Sequence, residues 1–193
     1  MDQPLILASR SPRRRQLLEM LGIPIVVASA DVQELRLPRE SPGDYARRLA
    51  RDKARAAPGA LVLGADTIVV VDGDVLEKPV DAEDALRMLR RLQGRTHEVI
   101  TAIALIAQGR TFQARDTTRV TFRPVEDDLL RAYVATGEPM DKAGAYGIQG
   151  YGGALVERIE GDFFSVMGLP VRLVLDLLKE AGQPYTFPGS SEQ

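Results

Sequence analysis

Short apolar runs and helix-entry signals alternate along the first half of this chain, and that alternation constrains the fold most tightly. Leu5-Ile6-Leu7-Ala8 reads as a buried strand that passes directly into Ser9-Arg10-Ser11-Pro12. Serine followed by proline marks a helix entry, with Ser11 as N-cap and Pro12 as the first helical residue. That helix carries Leu17, Leu18 and Leu21 on one face and closes at Gly22. Ile25–Ala28 reads as a second strand and 29–40 as a polar loop. Ser41-Pro42 opens a helix through Ala57, with Tyr45, Leu49 and Lys53 along one stripe. Leu61–Gly64 and Ile68–Val71 read as strands on either side of a tight break at Ala65-Asp66-Thr67, followed by a hairpin turn at Asp72-Gly73-Asp74. Asp81 caps a helix bearing Leu86, Leu89 and Leu92 and closed by Gly94. Val99–Ile106 and Thr111–Phe122 are long strands, Glu126–Thr136 a helix, and 137–153 a glycine-rich loop. Ala154–Ile159 is a strand and Pro170–Ala181 the last helix. Early strand–helix alternation mixed with central hairpins predicts an α/β fold built on a mixed sheet.

With 193 residues, 45% of them hydrophobic, the chain can bury the core of one domain, or of one domain with two lobes. The expected organisation is a single domain over 1–182 and a flexible tail over 183–193. A net charge of -2 gives no global field toward nucleic acid or membrane, so any anion site must be a local cluster. The absence of cysteine excludes thiolate catalysis and Cys-ligated zinc, and the single histidine, His97, excludes a multi-histidine metal site. His97 itself is expected to end a strand and pack. No apolar run reaches 18 residues and no signal-peptide pattern is present, so a cytoplasmic location is expected.

Four groups of residues could carry chemistry. Arg13, Arg14 and Arg15 crowd a helix start, where the backbone dipole favours anions, at a cost of about 0.3–1 kcal/mol per charge. A bound phosphate would reverse that sign: Ser9, Ser11 and the free N–H groups can donate to its oxygens, and Arg13 and Arg14 can grip it. A solvated basic face fits the same residues. Asp66, among small neighbours at a strand end, could hold a divalent cation or orient a water, and it also fits an ordinary turn aspartate. Lys53 and Lys78 could neutralise a polyphosphate, or snorkel to water. Glu34, in the polar loop, could share a cation with Asp66 or stand on the surface. In the stretch Asp141 to Gly150, Gln149 offers a donor and an acceptor for a base edge, while Tyr146 is expected to pack in the core.

Taken together, Ser9-Arg10-Ser11-Pro12-Arg13-Arg14, Gly64-Ala65-Asp66-Thr67, Glu77-Lys78-Pro79, Gly94-Arg95-Thr96-His97, Asp141 through Gly150 and Gly168-Leu169-Pro170 resemble the Maf family of nucleoside triphosphate pyrophosphatases. The resemblance spans about Leu5 to Leu178. It implies a two-lobed α/β fold with a mixed sheet, flanking helices and a central cleft, related to the inosine-triphosphatase-like enzymes. It implies hydrolysis of a nucleotide substrate to the monophosphate and pyrophosphate with Mg2+ or Mn2+. The family's catalytic acid falls on Asp66 and its second acidic group on Glu34. Its phosphate-binding groups fall on Ser9, Arg13, Lys53 and Lys78, with Arg14 in support. Arg13, Thr67 and Gln149 match the branch acting on dTTP and UTP, and the resemblance leaves modified pyrimidine nucleotides open as further substrates. It assigns Arg10 and Arg15 no role. A homodimer is expected from the family and from general frequency. Two other readings share these residues: a nucleotide-binding regulator of cell division without turnover, and a house-cleaning pyrophosphatase for modified purine nucleotides.

Overall fold

The computed structural model describes residues 3–29 and 31–188. Leu5–Ala8 forms strand β1. Helix α1 (Pro12–Met20) follows with Ser11 as its N-cap and proline in its first turn, as the Ser-Pro signal predicts. Strand β2 (Ile25–Val27) pairs parallel with β1. Helix α2 (Pro42–Ala56) is capped by Ser41, whose side chain accepts from the Asp44 N–H. Its stripe of Tyr45 and Leu49 is fully buried. Strand β3 (Leu61–Val71) pairs parallel with β1 and, further along, antiparallel with β4 (Asp74–Leu76). Helix α3 (Ala82–Leu92), capped by Asp81, leads to the long strands β5 (Thr96–Ala107) and β6 (Arg110–Phe122). Helix α4 (Asp127–Ala135), strand β7 (Val156–Glu160), helix α5 (Phe163–Met167) and helix α6 (Val171–Glu180) complete the chain's regular elements among the described residues. The strand order is β2-β1-β3-β5-β6-β7, with β4 added on β3. Parallel and antiparallel pairs together make this the mixed sheet of an α/β fold.

Three local expectations need correction. There is no break at Ala65-Asp66-Thr67: β3 runs through it as one strand of 11 residues. Its residues are buried almost throughout, so both faces are covered and the strand needs no polar alternation. Gly64 is small for a packing reason. A Cβ there would overlap the Ala50 carbonyl and come within 2.6 Å of the Ala54 nitrogen, both on α2. The region 137–153 is not plain loop either. It holds three 3-10 turns, Glu138–Asp141, Ala143–Ala145 and Tyr151–Leu155, which are too short to leave a periodic signature. Helix α5 escaped the pattern for the same reason, and Asp162 supports its start by accepting from the Phe164 and Ser165 N–H groups at 2.8 and 3.2 Å.

The chain divides into two compact units. The first comprises residues up to Asp66, Thr101–Asp116 and the chain from Gly168 onward; the second comprises Thr67–Ile100 and Thr117–Met167. The first unit holds β1, β2, α1, α2 and α6. Within it the Tyr185 hydroxyl donates to the Leu21 carbonyl at 2.8 Å, beyond the end of α1. The part of the expected C-terminal tail after residue 188 lies outside the described residues.

The second unit packs Leu86, Leu89 and Leu92 of α3 with Val69, Val99 and Phe122. An aromatic trio closes this core: His97, Phe122 and Tyr146 meet edge to face, with ring centroids 4.7–5.4 Å apart. His97 and Tyr146 are buried and bonded to each other at 2.9 Å, so both pack as their sequence contexts suggest. The other ring nitrogen of His97, Nδ1, has no hydrogen-bond partner among the described residues. Burial pulls the His97 pKa from 6.5 down to about 4, and burial pushes the Tyr146 phenol up. Between those two histidine values the unfolded chain binds more protons than the folded one, so stability falls as the pH drops from about 6.5 toward 4. The contribution lost at the low end is about 3 kcal/mol. Thermal melts of the chain and of His97→Gln across that range should diverge in slope, with the variant flatter. Parallel slopes would show that His97 does not titrate on unfolding.

Candidate functional site

In the first unit, α2 and β3 bring a cation and two carboxylates together. Lys53 stands in the last turn of α2, where the helix dipole favours positive charge. Its ammonium donates to Asp66 Oδ1 at 2.6 Å and pairs with Glu34 Oε1 at 2.7 Å. One ammonium therefore holds the two carboxylates close to each other. Asp66 lies in the middle of β3, not at a strand end, and is 5% exposed. Its second oxygen, Oδ2, is buried with no hydrogen-bond partner among the described residues. A buried carboxylate oxygen left open is costly unless something else binds it. Glu34, by contrast, stands at the surface on its polar loop.

The arginine-rich helix start resolves into separate roles. Arg10 pairs with Asp31 at 3.1 Å and Arg15 with Glu19 at 2.7 Å; all four side chains are exposed, so these pairs contribute little to stability. Arg14 turns inward. Its Nε donates to the Gly168 carbonyl at 2.7 Å, and its Nη1 to Ser9 Oγ at 3.1 Å and the Ala65 carbonyl at 2.9 Å. Burial lowers the pKa of this guanidinium, and the negative charges of Asp66 and Glu34 oppose that shift. Arg14 thus ties Ser9 to the residue immediately before Asp66. Ser9 Oγ also accepts from the Ser11 N–H at 3.2 Å. Arg13 is half-buried on the first turn of α1.

The remaining sequence-predicted residues belong to the second unit. Thr67 follows Asp66 directly on β3 and is half-buried. Lys78 is exposed just after β4. Gln149 is exposed in the glycine-rich segment. The two segments are joined: the Gly144 N–H donates to the Glu77 carbonyl at 3.1 Å, which ties the start of that segment to the residue before Lys78. Two residues that no motif singled out, Tyr133 and Glu138, organise the stretch around Gln149. Their signal was absent from the local sequence because their partners lie up to 14 residues away.

Among the described residues no group of three or more acidic, histidine or cysteine side chains could hold a metal. Asp66 with Glu34 is a two-carboxylate set, which suits a hard cation that takes its other ligands from water and substrate phosphates. The open Asp66 Oδ2 fits such a cation. No helix among the described residues is long and apolar enough to cross a membrane.

A family model described as Maf-like protein matches residues 4–181. A protein of Symbiobacterium thermophilum called dTTP/UTP pyrophosphatase is 51% identical over 94% of this chain and 96% of its own length. Proteins of the same name from Anaeromyxobacter dehalogenans strain 2CP-1 and Bacillus velezensis are 52% and 50% identical, over 93% of this chain and 95% and 97% of theirs. The solved structure of a HAM1 protein from Coxiella burnetii superimposes with a TM-score of 0.50 at 16% identity, over 92% of this chain and 98% of that one, a likeness of fold.

Removing Lys53 would leave the buried Asp66 carboxylate without its hydrogen-bonded cation, at a cost of about 3–5 kcal/mol. Denaturant unfolding of Lys53→Met should show a loss of that order, and adding Asp66→Asn to the variant should restore part of it. A double variant no more stable than the single one would mean that the ion pair does not carry the effect.

Proposed function

The chain belongs to the Maf family, and on that premise we propose that it is a nucleoside triphosphate pyrophosphatase that hydrolyses dTTP and UTP to the monophosphate and pyrophosphate. Identity near one half over more than nine tenths of each chain to proteins named for that activity supports the substrate class. One observation carries the chemistry. Asp66 presents a buried carboxylate whose first oxygen is held by Lys53 and whose second has no hydrogen-bond partner among the described residues.

In this reading a water attacks the α-phosphorus in line, the bond from that phosphorus to the bridging oxygen breaks, and pyrophosphate departs with the electron pair. Asp66 positions the water or takes its proton. A carboxylate is a weak base at neutral pH, so the step needs help. Asp66 and Glu34 would hold a divalent cation, Mg2+ or Mn2+, whose chemistry when bound is charge stabilisation on phosphate oxygens and easier ionisation of water. Arg13, Lys53 and Lys78 offset charge as it builds on the phosphates, and Ser9 donates a hydrogen bond to them. Arg14, bonded to the backbone on both sides, supports Ser9 and the carboxylate-bearing strand. Arg13, Thr67 and Gln149 set the preference for pyrimidine bases. The expected setting is the cytoplasm, where the substrates are free nucleotides.

Asp66→Asn keeps the shape of the side chain and removes its basicity. Pyrophosphate release from dTTP should drop by about 100-fold or more, the usual worth of a positioned acid–base group. Full activity in that variant would remove Asp66 from the mechanism. Chelation of divalent cations should abolish turnover of dTTP, and added Mg2+ or Mn2+ should restore it. Unchanged turnover on chelation would remove the proposed ligand role of Asp66 and Glu34. A panel of dTTP, UTP, ITP and methylated GTP separates the pyrimidine reading from a purine house-cleaning one. Binding without stoichiometric pyrophosphate release would identify a regulator.

A further inference from the structure

Four glycines crowd residues 147–153, and two side chains from outside that stretch determine its path. Glu138 Oε1 accepts from the Tyr133 hydroxyl at 2.9 Å and from the Gly152 N–H at 3.0 Å. Glu138 Oε2 accepts from the Tyr151 N–H at 2.8 Å. The Tyr133 hydroxyl in turn accepts from the Gly147 N–H at 3.0 Å. Gly147 on one side and Tyr151 and Gly152 on the other are therefore tied to one carboxylate–phenol pair. Only Ile148, Gln149 and Gly150 lie between those anchors, and Gln149 stands exposed on the span.

The glycines record how closely the chain wraps this pair. A Cβ on Gly150 would overlap the Glu138 carboxylate, and one on Gly152 would lie 2.6 Å from the Tyr133 hydroxyl. At these two positions the backbone comes too close to the anchors to tolerate a side chain. The anchors are themselves fixed. Tyr133 is buried on α4, and Lys142 donates to the Glu138 main-chain carbonyl at 2.6 Å. Desolvation alone would raise the Glu138 pKa, but its two backbone donors, the Tyr133 hydroxyl and the Lys142 charge outweigh it and lower the value. The group is an acceptor-only carboxylate at neutral pH, the species that can take all three donors at once.

We propose that Glu138, with Tyr133, is a positioning residue for base selection: it holds the span that presents Gln149 and so sets the preference for pyrimidine nucleotides. This inference rests on the pyrophosphatase reading and on the role given there to Gln149. Glu138 touches no substrate in this proposal. Its effect is to remove freedom from the stretch 147–153, whose four glycines each lose more conformational freedom on ordering than other residues do.

The test is a double-mutant cycle on kcat/KM for dTTP and GTP, using Glu138→Gln, Gln149→Ala and the pair. An amide at position 138 keeps the size but turns one oxygen into a donor that faces another donor. Glu138→Gln should narrow the dTTP-over-GTP ratio by about tenfold, the scale of coupling within one hydrogen-bond network. Most of that change should appear in KM for dTTP rather than in kcat, since the water-activating group is untouched. In a Gln149→Ala background, adding Glu138→Gln should narrow the ratio no further. An unchanged ratio in Glu138→Gln, or effects that multiply in the pair, would overturn the proposal, as would a Gln149→Ala variant that keeps the full preference. Tyr133→Phe removes a single hydroxyl and should shift the ratio in the same direction. It carries the test if thermal melting shows that Glu138→Gln has lost its fold. Absence of pyrophosphate release from the unmodified chain would instead sink the pyrophosphatase reading itself.

Discussion

The ammonium of Lys53 is the contact around which the first unit's candidate site is built. It brings a buried aspartate on a strand and an exposed glutamate on a loop to one point. Burying a carboxylate without such a partner is strongly unfavourable, and the last turn of α2 delivers the hydrogen-bonded counter-charge to Asp66 in the middle of β3. The delivery is steric as much as electrostatic. Gly64 lets the α2 backbone lie against β3, and any side chain there would push the helix, and Lys53 with it, away from Asp66.

Arg14 works on the same strand from its other neighbour. Three positive side chains in the first turn of α1 oppose the helix dipole, and the structure divides them by partner. Arg15 spends its charge at the surface on Glu19. Arg14 spends its hydrogen-bond donors on two main-chain carbonyls and Ser9. That guanidinium is a brace next to Asp66, bonded to the carbonyls of Gly168 and Ala65. The electrostatic anomaly at the helix start is thus partly structural in origin.

Much of the fold was legible in the chain itself. The Ser-Pro helix starts at Ser11 and Ser41, the Asp81 cap and the apolar stripes of α2 and α3 appear where the pattern places them, because caps and 3.6-residue periodicity are local properties. The break expected at Asp66 failed for an equally physical reason. A polar residue just after Gly64-Ala65 looks like a turn until a helix backbone is found lying on that glycine. The short helical turns between 137 and 155 left no trace because one or two turns cannot establish a period. At the candidate site, motif resemblance picked out Asp66, Lys53 and Glu34, but the contacts joining them span 13 and more residues of sequence and have no local signature.

The sequence by itself determined the class of fold, the absence of thiol and multi-histidine chemistry, and the set of charged and amide side chains that the fold has to place. Those follow from composition, spacing and capping. Tertiary structure decided which of those side chains are occupied and which are open. It engaged Arg14 with backbone, left one oxygen of Asp66 without a hydrogen-bond partner among the described residues, packed His97 and Tyr146 into an aromatic core, and anchored the span carrying Gln149 to Glu138. Such assignments depend on burial and on partners distant in sequence, and a group's hydrogen bonding and charge are fixed only when the chain has folded around it.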